Sequence, residues 1–447
     1  MSRAPKPRPR PSKAASASEK GGARIHEHVL ENGLRVLLAE RHLDPVVAVM
    51  LWYKAGARNE TEKEAGVSHF LEHMMFKGSG RYGKGAIDRL TTTLGGTNNA
   101  FTSADHTAYW FEFASDRWES ALEVEADRMR ALLLEPAEFE AEKQVVLEEL
   151  AQGEDDPWRV LSQEVQNALF PRHPYRRPVI GYTDTLKALR VEEMRDYYRR
   201  FYHPGNAVLV VCGDIEPARA LETVRKHLGT IPAGQPYAEA DAFRAPPDAP
   251  RGEQRLVLRW DDAARRLCIA WPTTPIGTDD DCILDLVSTL LTGGRLSRLY
   301  RRLVIEERCA TSVSTHNDTR VETGAFWLFA ECAQGSSPER LERVIEEEFE
   351  RLARKPVSRA ELARAKRIIA AGEAHEAESV SDLAEDIGEF AIDADWRLAL
   401  RTLERIERTQ AEEVRSVAAR LLGPARRVVG WCLPQETRAR VAKGRRK

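Results

Sequence analysis

Apolar residues recur at two periods along this chain. Alternating apolar runs at Leu34–Ala39, Val46–Tyr53 and Ala207–Val211 predict strands, while Trp118–Leu134 and Val191–Phe201 read as long charged helices. Glu138-Phe-Glu-Ala-Glu142-Lys-Gln-Val-Val-Leu-Glu148-Glu149-Leu150 also reads as a helix, with Val145, Val146, Leu147 and Leu150 apolar. Glu142 and Glu149 lie seven residues apart, two helical turns, so they share a face. The same texture returns later, with strands near Arg255–Leu258, Leu267–Trp271 and Ala325–Glu331. Residues 231–250 between the two blocks carry Pro232, Pro236, Pro246, Pro247 and Pro250, which break regular structure and mark a boundary.

The blocks also echo each other. Val191-Glu-Glu-Met-Arg, Pro204 and the strand at Val210 align with Ala411-Glu-Glu-Val-Arg, Pro424 and the strand at Val428; the Glu-Glu pairs and the prolines share one and the same offset. The expected fold is therefore α+β: two homologous α/β domains, each a largely antiparallel sheet packed with helices. The boundaries follow as 24–230 and 251–435, with a disordered basic tail at 1–23 and a basic tail at 436–447.

Charge narrows the function classes. Net charge is −3, from 67 Lys and Arg against 70 Asp and Glu, interspersed, which gives no electrostatic case for nucleic acid or an anionic membrane surface. No apolar run approaches the ~20 residues of a membrane span. Cysteines at 212, 268, 282, 309, 332 and 432 form no C-x-x-C, which argues against a disulfide framework and suits a reducing compartment. The N-terminus lacks an apolar signal region, and Pro5, Pro7, Pro9 and Pro11 forbid an amphipathic transit helix. Cytoplasm is the default expectation.

Candidate chemistry concentrates at His69-Phe-Leu-Glu72-His73. On a helix, positions i and i+4 face the same way, so His69 and His73 can grip one metal ion. Glu72 adjoins that face, where it can act as general base toward a water on the metal. This is the inverted zinc-peptidase spelling, H-x-x-E-H. Two imidazoles leave zinc short of ligands, so a third protein ligand is needed downstream.

With the Glu142/Glu149 pair, the chain resembles the pitrilysin family of zinc metallopeptidases, particularly its mitochondrial-processing-peptidase-like branch. The resemblance implies one zinc per chain and a glutamate ligand well downstream of the histidines; Glu149 fits that place, and Glu142 is its supporting neighbour. Glu148 points about 100° around the helix and is the weaker candidate. Other landmarks match. Glu31-Asn-Gly-Leu34 looks like the family's opening hairpin, with Asn32-Gly33 a two-residue turn signal. Gly56–Glu60 leads into the motif, Asn99-Ala-Phe-Thr102 matches the N-A-x-T strand, and His173-Pro-Tyr through Gly181 follows. By resemblance, an extended peptide pairs with Asn99, Ala100 and Phe101 inside a chamber of which this chain forms half of the clam-shell. His106 is expected to be a strand residue, since a fourth ligand would close the open metal position.

One departure stands out. Many family members carry an Arg and a Tyr seven residues apart in the second domain, which stabilise the oxyanion; the aligned positions here are Val304 and Thr311. The implied reading is the zinc-bearing subunit of a two-chain endopeptidase, completed by a homologous non-zinc partner. A self-sufficient homodimer and a non-catalytic assembly subunit are the alternatives. The second block holds only His316 and His375, so the metal belongs to the first.

Overall fold

The computed structural model describes residues 18–235 and 252–435. Among them, alternation becomes two sheets. The first half supplies β1 (Ser18–Lys20), β2 (Ala23–Val29), β3 (Arg35–Glu40), β4 (Val46–Tyr53), β5 (Thr97–Thr102), β6 (Thr107–Ala114) and β7 (Ala207–Gly213). The second supplies β8 (Gln254–Trp260), β9 (Arg266–Pro272), β10 (Ala310–Asp318), β11 (Ala325–Cys332) and β12 (Val428–Pro434). The sheet orders are β1-β2-β3-β7-β4-β6-β5 and β10-β11-β9-β12-β8. Only β3–β7 and β8–β12 are parallel. With the helices packed on these sheets, the architecture is α+β with two related domains.

Helices of the first half are α1 (Val67–Met74), α2 (Ala86–Thr93), α3 (Glu119–Ala131), α4 (Pro136–Glu154), α5 (Pro157–Leu169), α6 (Thr183–Ala188), α7 (Val191–Phe201) and α8 (Pro217–Leu228). The second half adds α9 (Asp279–Thr292), α10 (Pro338–Arg354), α11 (Arg359–Glu376), α12 (Val380–Asp393), α13 (Thr402–Arg408) and α14 (Ala411–Leu421). The repeat offset appears as structure: α7, the turn at Pro204 and β7 recur as α14, the turn at Pro424 and β12.

The halves exchange helices. One face of the first sheet packs on its own half's helices, with Val49, Leu51, Phe70, Val146 and Tyr197 in one core. Its other face, through Ala48, Met50, Trp52 and Val210, is covered by Leu383, Ala384 and Ile387 of α12 from the second half. Reciprocally, Leu161, Val165 and Leu169 of α5 cover Cys268, Ala270 and Cys432 of the second sheet. Each sheet presents two apolar faces and its own helices cover only one, so each half buries what the other leaves exposed. Gly388 marks how close this is: a Cβ there would stand 2.1 Å from Trp52 Nε1.

Three local expectations change. Residues 18–20 form β1 on β2, so the disorder expected through residue 23 stops short; residues 1–17 and 436–447 lie outside the described residues, as does 236–251 of the Pro-rich linker. The Asn32-Gly33 loop is longer than two residues, with Leu30 N donating to Leu34 O at 2.9 Å and Gly33 at φ +87°. Asn32 Nδ2 instead donates to Leu228 O and Ile231 O, so the side chain ties the hairpin to the end of α8. His106 lies in the β5–β6 turn, one residue before β6. No helix among the described residues is long and apolar enough to cross a membrane. All six cysteines are free, and burial pushes Cys212 and Cys282 up to about 12.

Candidate metal centre

The motif helix α1 is only eight residues long, so its entry geometry matters more than its propensity. It begins at Gly66, φ +96°, directly against Gly181, φ +83°. A Cβ on Gly66 would lie 2.5 Å from Ile180 O, and one on Gly181 would lie 2.4 Å from Ala65 O. Glycine is required at both for backbone contact. The buried Glu60 carboxylate accepts from Gly66 N at 2.9 Å and Ser68 N at 2.8 Å, satisfying amides that the helix start leaves orphaned. Burial nonetheless pushes Glu60 up to about 7.

Phe70, Leu71 and Met74 face the core, Phe70 stacking on Phe139 of α4 with centroids 4.8 Å apart. That leaves His69, Glu72 and His73 toward the cleft, and α4 brings Glu149 to them. His69 Nε2 is 3.7 Å from Glu149 Oε1, and His73 Nε2 is 3.5 Å from Glu149 Oε2. Ligand atoms of these three residues all lie within 4.8 Å of one another. Glu148, the alternative, is exposed.

The donor set suits zinc. Glu142, two turns before Glu149, accepts from His73 Nδ1 at 2.9 Å and from Lys77 Nζ at 2.6 Å. With its proton on Nδ1, His73 keeps its Nε2 lone pair for a metal. Burial works to raise the Glu142 pKa, but the bonds from Lys77 and His73 more than offset it and hold the carboxyl below the usual range. Burial, with His73 and Arg159 adding to it, pulls His69 down to about 4, so its ring stays neutral as a ligand must. His69 Nδ1 is buried with no hydrogen-bond partner.

Glu72 is positioned by a residue to which sequence reasoning assigns no role. Thr102 Oγ1, the last residue of β5, donates to Glu72 Oε2 at 2.6 Å, and Thr107 Oγ1 stands 3.3 Å behind it while donating to Ala55 O. Burial raises the Glu72 pKa despite that bond, favouring a carboxylate that accepts a proton readily. The Thr of the N-A-x-T pattern is the signal that could have found it. Lys77, four residues after His73, is likewise marked only by its i,i+4 spacing from a ligand.

Strand β5 pairs with β6 on one side and lies last in its sheet. Asn99 and Ala100 sit opposite Trp110 and Tyr109. Ala100 packs toward the α1 side; Phe101 points to the α12 face, its ring 5.5 Å from Trp52. His106 Nδ1 is 3.0 Å from Asp393 Oδ2, and His106 is not among the residues whose ligand atoms converge. In the second half, Val304 sits in a π-helical turn, Tyr300–Glu306, packed on the core, and Thr311 Oγ1 bonds Glu331 Oε1 at 3.1 Å.

Comparisons with known proteins show the family of the chain. The family described as Insulinase (Peptidase family M16) matches residues 35–183, and Peptidase M16 inactive domain matches 188–369. A zinc protease of Mycobacterium tuberculosis is 30% identical over 400 residues, 88% of this chain and 90% of that protein. The mitochondrial-processing peptidase subunit beta of Rattus norvegicus is 28% identical over 404 residues, covering 88% and 81%. A crystal structure of a protease from Helicobacter pylori is similar at TM-score 0.88 and 25% identity, over 92% of this chain and 100% of that one. The chain thus belongs to peptidase family M16, the pitrilysin family.

Proposed function

We propose that this chain is a zinc metalloendopeptidase subunit that holds one Zn²⁺ through His69, His73 and Glu149 and cleaves extended peptides. The observation that carries the reading is the convergence of three ligand atoms within 4.8 Å, with Glu72 one residue away and uncommitted to them. Zinc bound there supplies a Lewis acid and a water acidified toward a pKa of ~7. Glu72 takes the proton of the attacking water at its carboxylate and returns it to the leaving amine, while Thr102 holds one of its oxygens in place. Glu142 keeps His73 in the ligating tautomer. The free edge of β5 binds substrate main chain through Asn99, Ala100 and Phe101, which selects short or unfolded peptides over particular sequences.

The oxyanion side needs more than this chain offers. Val304 and Thr311 provide no guanidinium or phenol, and losing one oxyanion donor costs ~10²–10³ in rate. A homologous partner carrying Arg and Tyr seven residues apart completes the site and the chamber. The test compares zinc content and hydrolysis of a mixed peptide library for the chain alone, for the chain titrated with such a homologue, and for Glu72→Gln. Weak activity alone, restoration by the homologue, and a Glu72→Gln variant that keeps stoichiometric zinc but does not turn over are expected. Metal loss in Glu72→Gln would remove it as the base. Full activity of one polypeptide species would replace the divided site by a homodimer, and zinc without hydrolysis under any condition would leave an assembly protein.

A further inference from the structure

The β5–β6 turn, residues 103–106, is held from several sides. Ala57 N donates to Ser103 O at 3.2 Å and Arg58 N to Ala104 O at 2.7 Å, tying the turn to the segment that enters α1. Asp105, 3% exposed, pairs with Arg58 Nε at 2.7 Å and accepts the Tyr175 hydroxyl at 2.8 and 2.9 Å. It also accepts Val321 N at 3.2 Å, from the β10–β11 loop of the second half. The next residue, His106, reaches a different element of that half: Asp393, at the end of α12, 3.0 Å away, the two side chains 5% and 4% exposed. Two consecutive residues thus bridge to two separate parts of the half that holds no metal ligand. Arg58 to Glu322 at 2.9 Å reinforces the junction.

What the turn carries makes this consequential. Thr102, four residues before His106, holds Glu72, and the three residues before Thr102 lie on the outermost strand of the sheet, the edge proposed above for peptide. As the last strand of its sheet, β5 has one strand neighbour, β6, and packs besides on α1 and α2, so the turn that joins it to β6 is one of the few places that fix it. We propose that Asp105 and His106 are positioning residues through which the second half fixes β5, and with it Thr102, against α1. Burial disfavours a charged His106, yet Asp393 outweighs it and raises the ring's pKa, so the contact favours an ion pair; Glu389 and Glu385 on α12 add to that field. Removing one partner of a buried pair leaves an uncompensated charge, which releases the turn. The consequence for turnover rests on the peptidase reading; the clamp itself belongs to the fold.

The test uses the full chain, first without metal and then loaded with zinc. Backbone hydrogen exchange is followed over residues 97–102 in wild type, Asp105→Asn, His106→Gln and Asp393→Asn, with α10 and α8 as internal references. Binding of an extended peptide is then measured by fluorescence anisotropy with each change placed in a zinc-loaded Glu72→Gln background. Exchange at 97–102 should rise about tenfold or more with α10 and α8 unchanged, and peptide affinity should fall about tenfold at constant zinc content. The His106→Gln/Asp393→Asn double variant should be no worse than either single one, because the two act as a unit. Exchange and affinity within about twofold of wild type in all three variants would overturn the proposal, as would equal acceleration in α10 and α8, the mark of a general stability contact. Faster exchange at 97–102 in a protein that binds no peptide even as the unmodified Glu72→Gln variant would keep the clamp and sink the peptidase reading instead.

Discussion

Glu142→Ala probes the metal centre without touching a ligand. The wild-type carboxylate is 8% exposed and holds His73 Nδ1 at 2.9 Å and Lys77 Nζ at 2.6 Å. Alanine removes the acceptor that sets the His73 tautomer and leaves the Lys77 ammonium without its counter-charge beside a site meant for a divalent cation. Loss of such an outer partner costs 10–100-fold in metal affinity, about 1.4–2.7 kcal/mol. The upper end applies here because both effects act together. Glu142→Gln keeps an acceptor for His73 and should lose less; Lys77→Met added to Glu142→Ala should recover part of the loss by removing the stray charge. The assay is zinc competition with a chelator at neutral pH. Because the folded Glu142 pKa is depressed, its contribution is complete above the ordinary 4.5 and fades only as pH falls through the lower folded value, so neutral pH reads it in full. Zinc affinity of Glu142→Ala within about threefold of wild type, or Glu142→Gln as weak as Glu142→Ala, would refute the reasoning.

Three further outcomes follow from the same geometry. Glu149→Gln should lose zinc far more than Glu148→Gln, measured by metal content after dialysis; equal loss would take Glu149 out of the ligand set. Gly181→Ala should destabilise by about 2–5 kcal/mol in urea, from the left-handed backbone (~1–2) and the clash with Ala65 O (~1–3), and an unshifted midpoint would mean the two backbones move apart freely. Glu389 keeps an exposed surface on α12, yet desolvation by the surrounding protein, with the Asp393 carboxylate adding to it, raises its carboxyl to about 7, so the folded state favours its protonated form, and wild-type stability falls as pH rises from 4.5 through about 7. Glu389→Gln should therefore gain stability on wild type between pH 5 and pH 8, and a pH-independent difference in denaturation midpoints would show the carboxyl is solvated.

Some of this protein is written in short-range order. The i,i+4 spacing of His69 and His73 and the two-turn spacing of Glu142 and Glu149 fix which side chains share a helix face, because 3.6 residues per turn is a property of the backbone alone. The apolar run Val46–Tyr53 forms a strand with those bounds, but it is buried on both faces rather than alternating between core and solvent, and the internal repeat placed α14 and β12 as second copies of α7 and β7. What lies between elements was decided elsewhere. That Lys77 shares Glu142, that Thr102 holds Glu72, and that α12 covers a sheet built from the far end of the chain depend on how preformed surfaces pack. The His106 environment shows the limit most clearly. Its neighbours Asp105 and Thr107 are polar and its sequence gives it only as a strand residue, yet it lies in a turn where Asp393, from the opposite half, buries it as half of an ion pair. Periodicity cannot carry that information, since it records which face a residue occupies and never what is brought against that face.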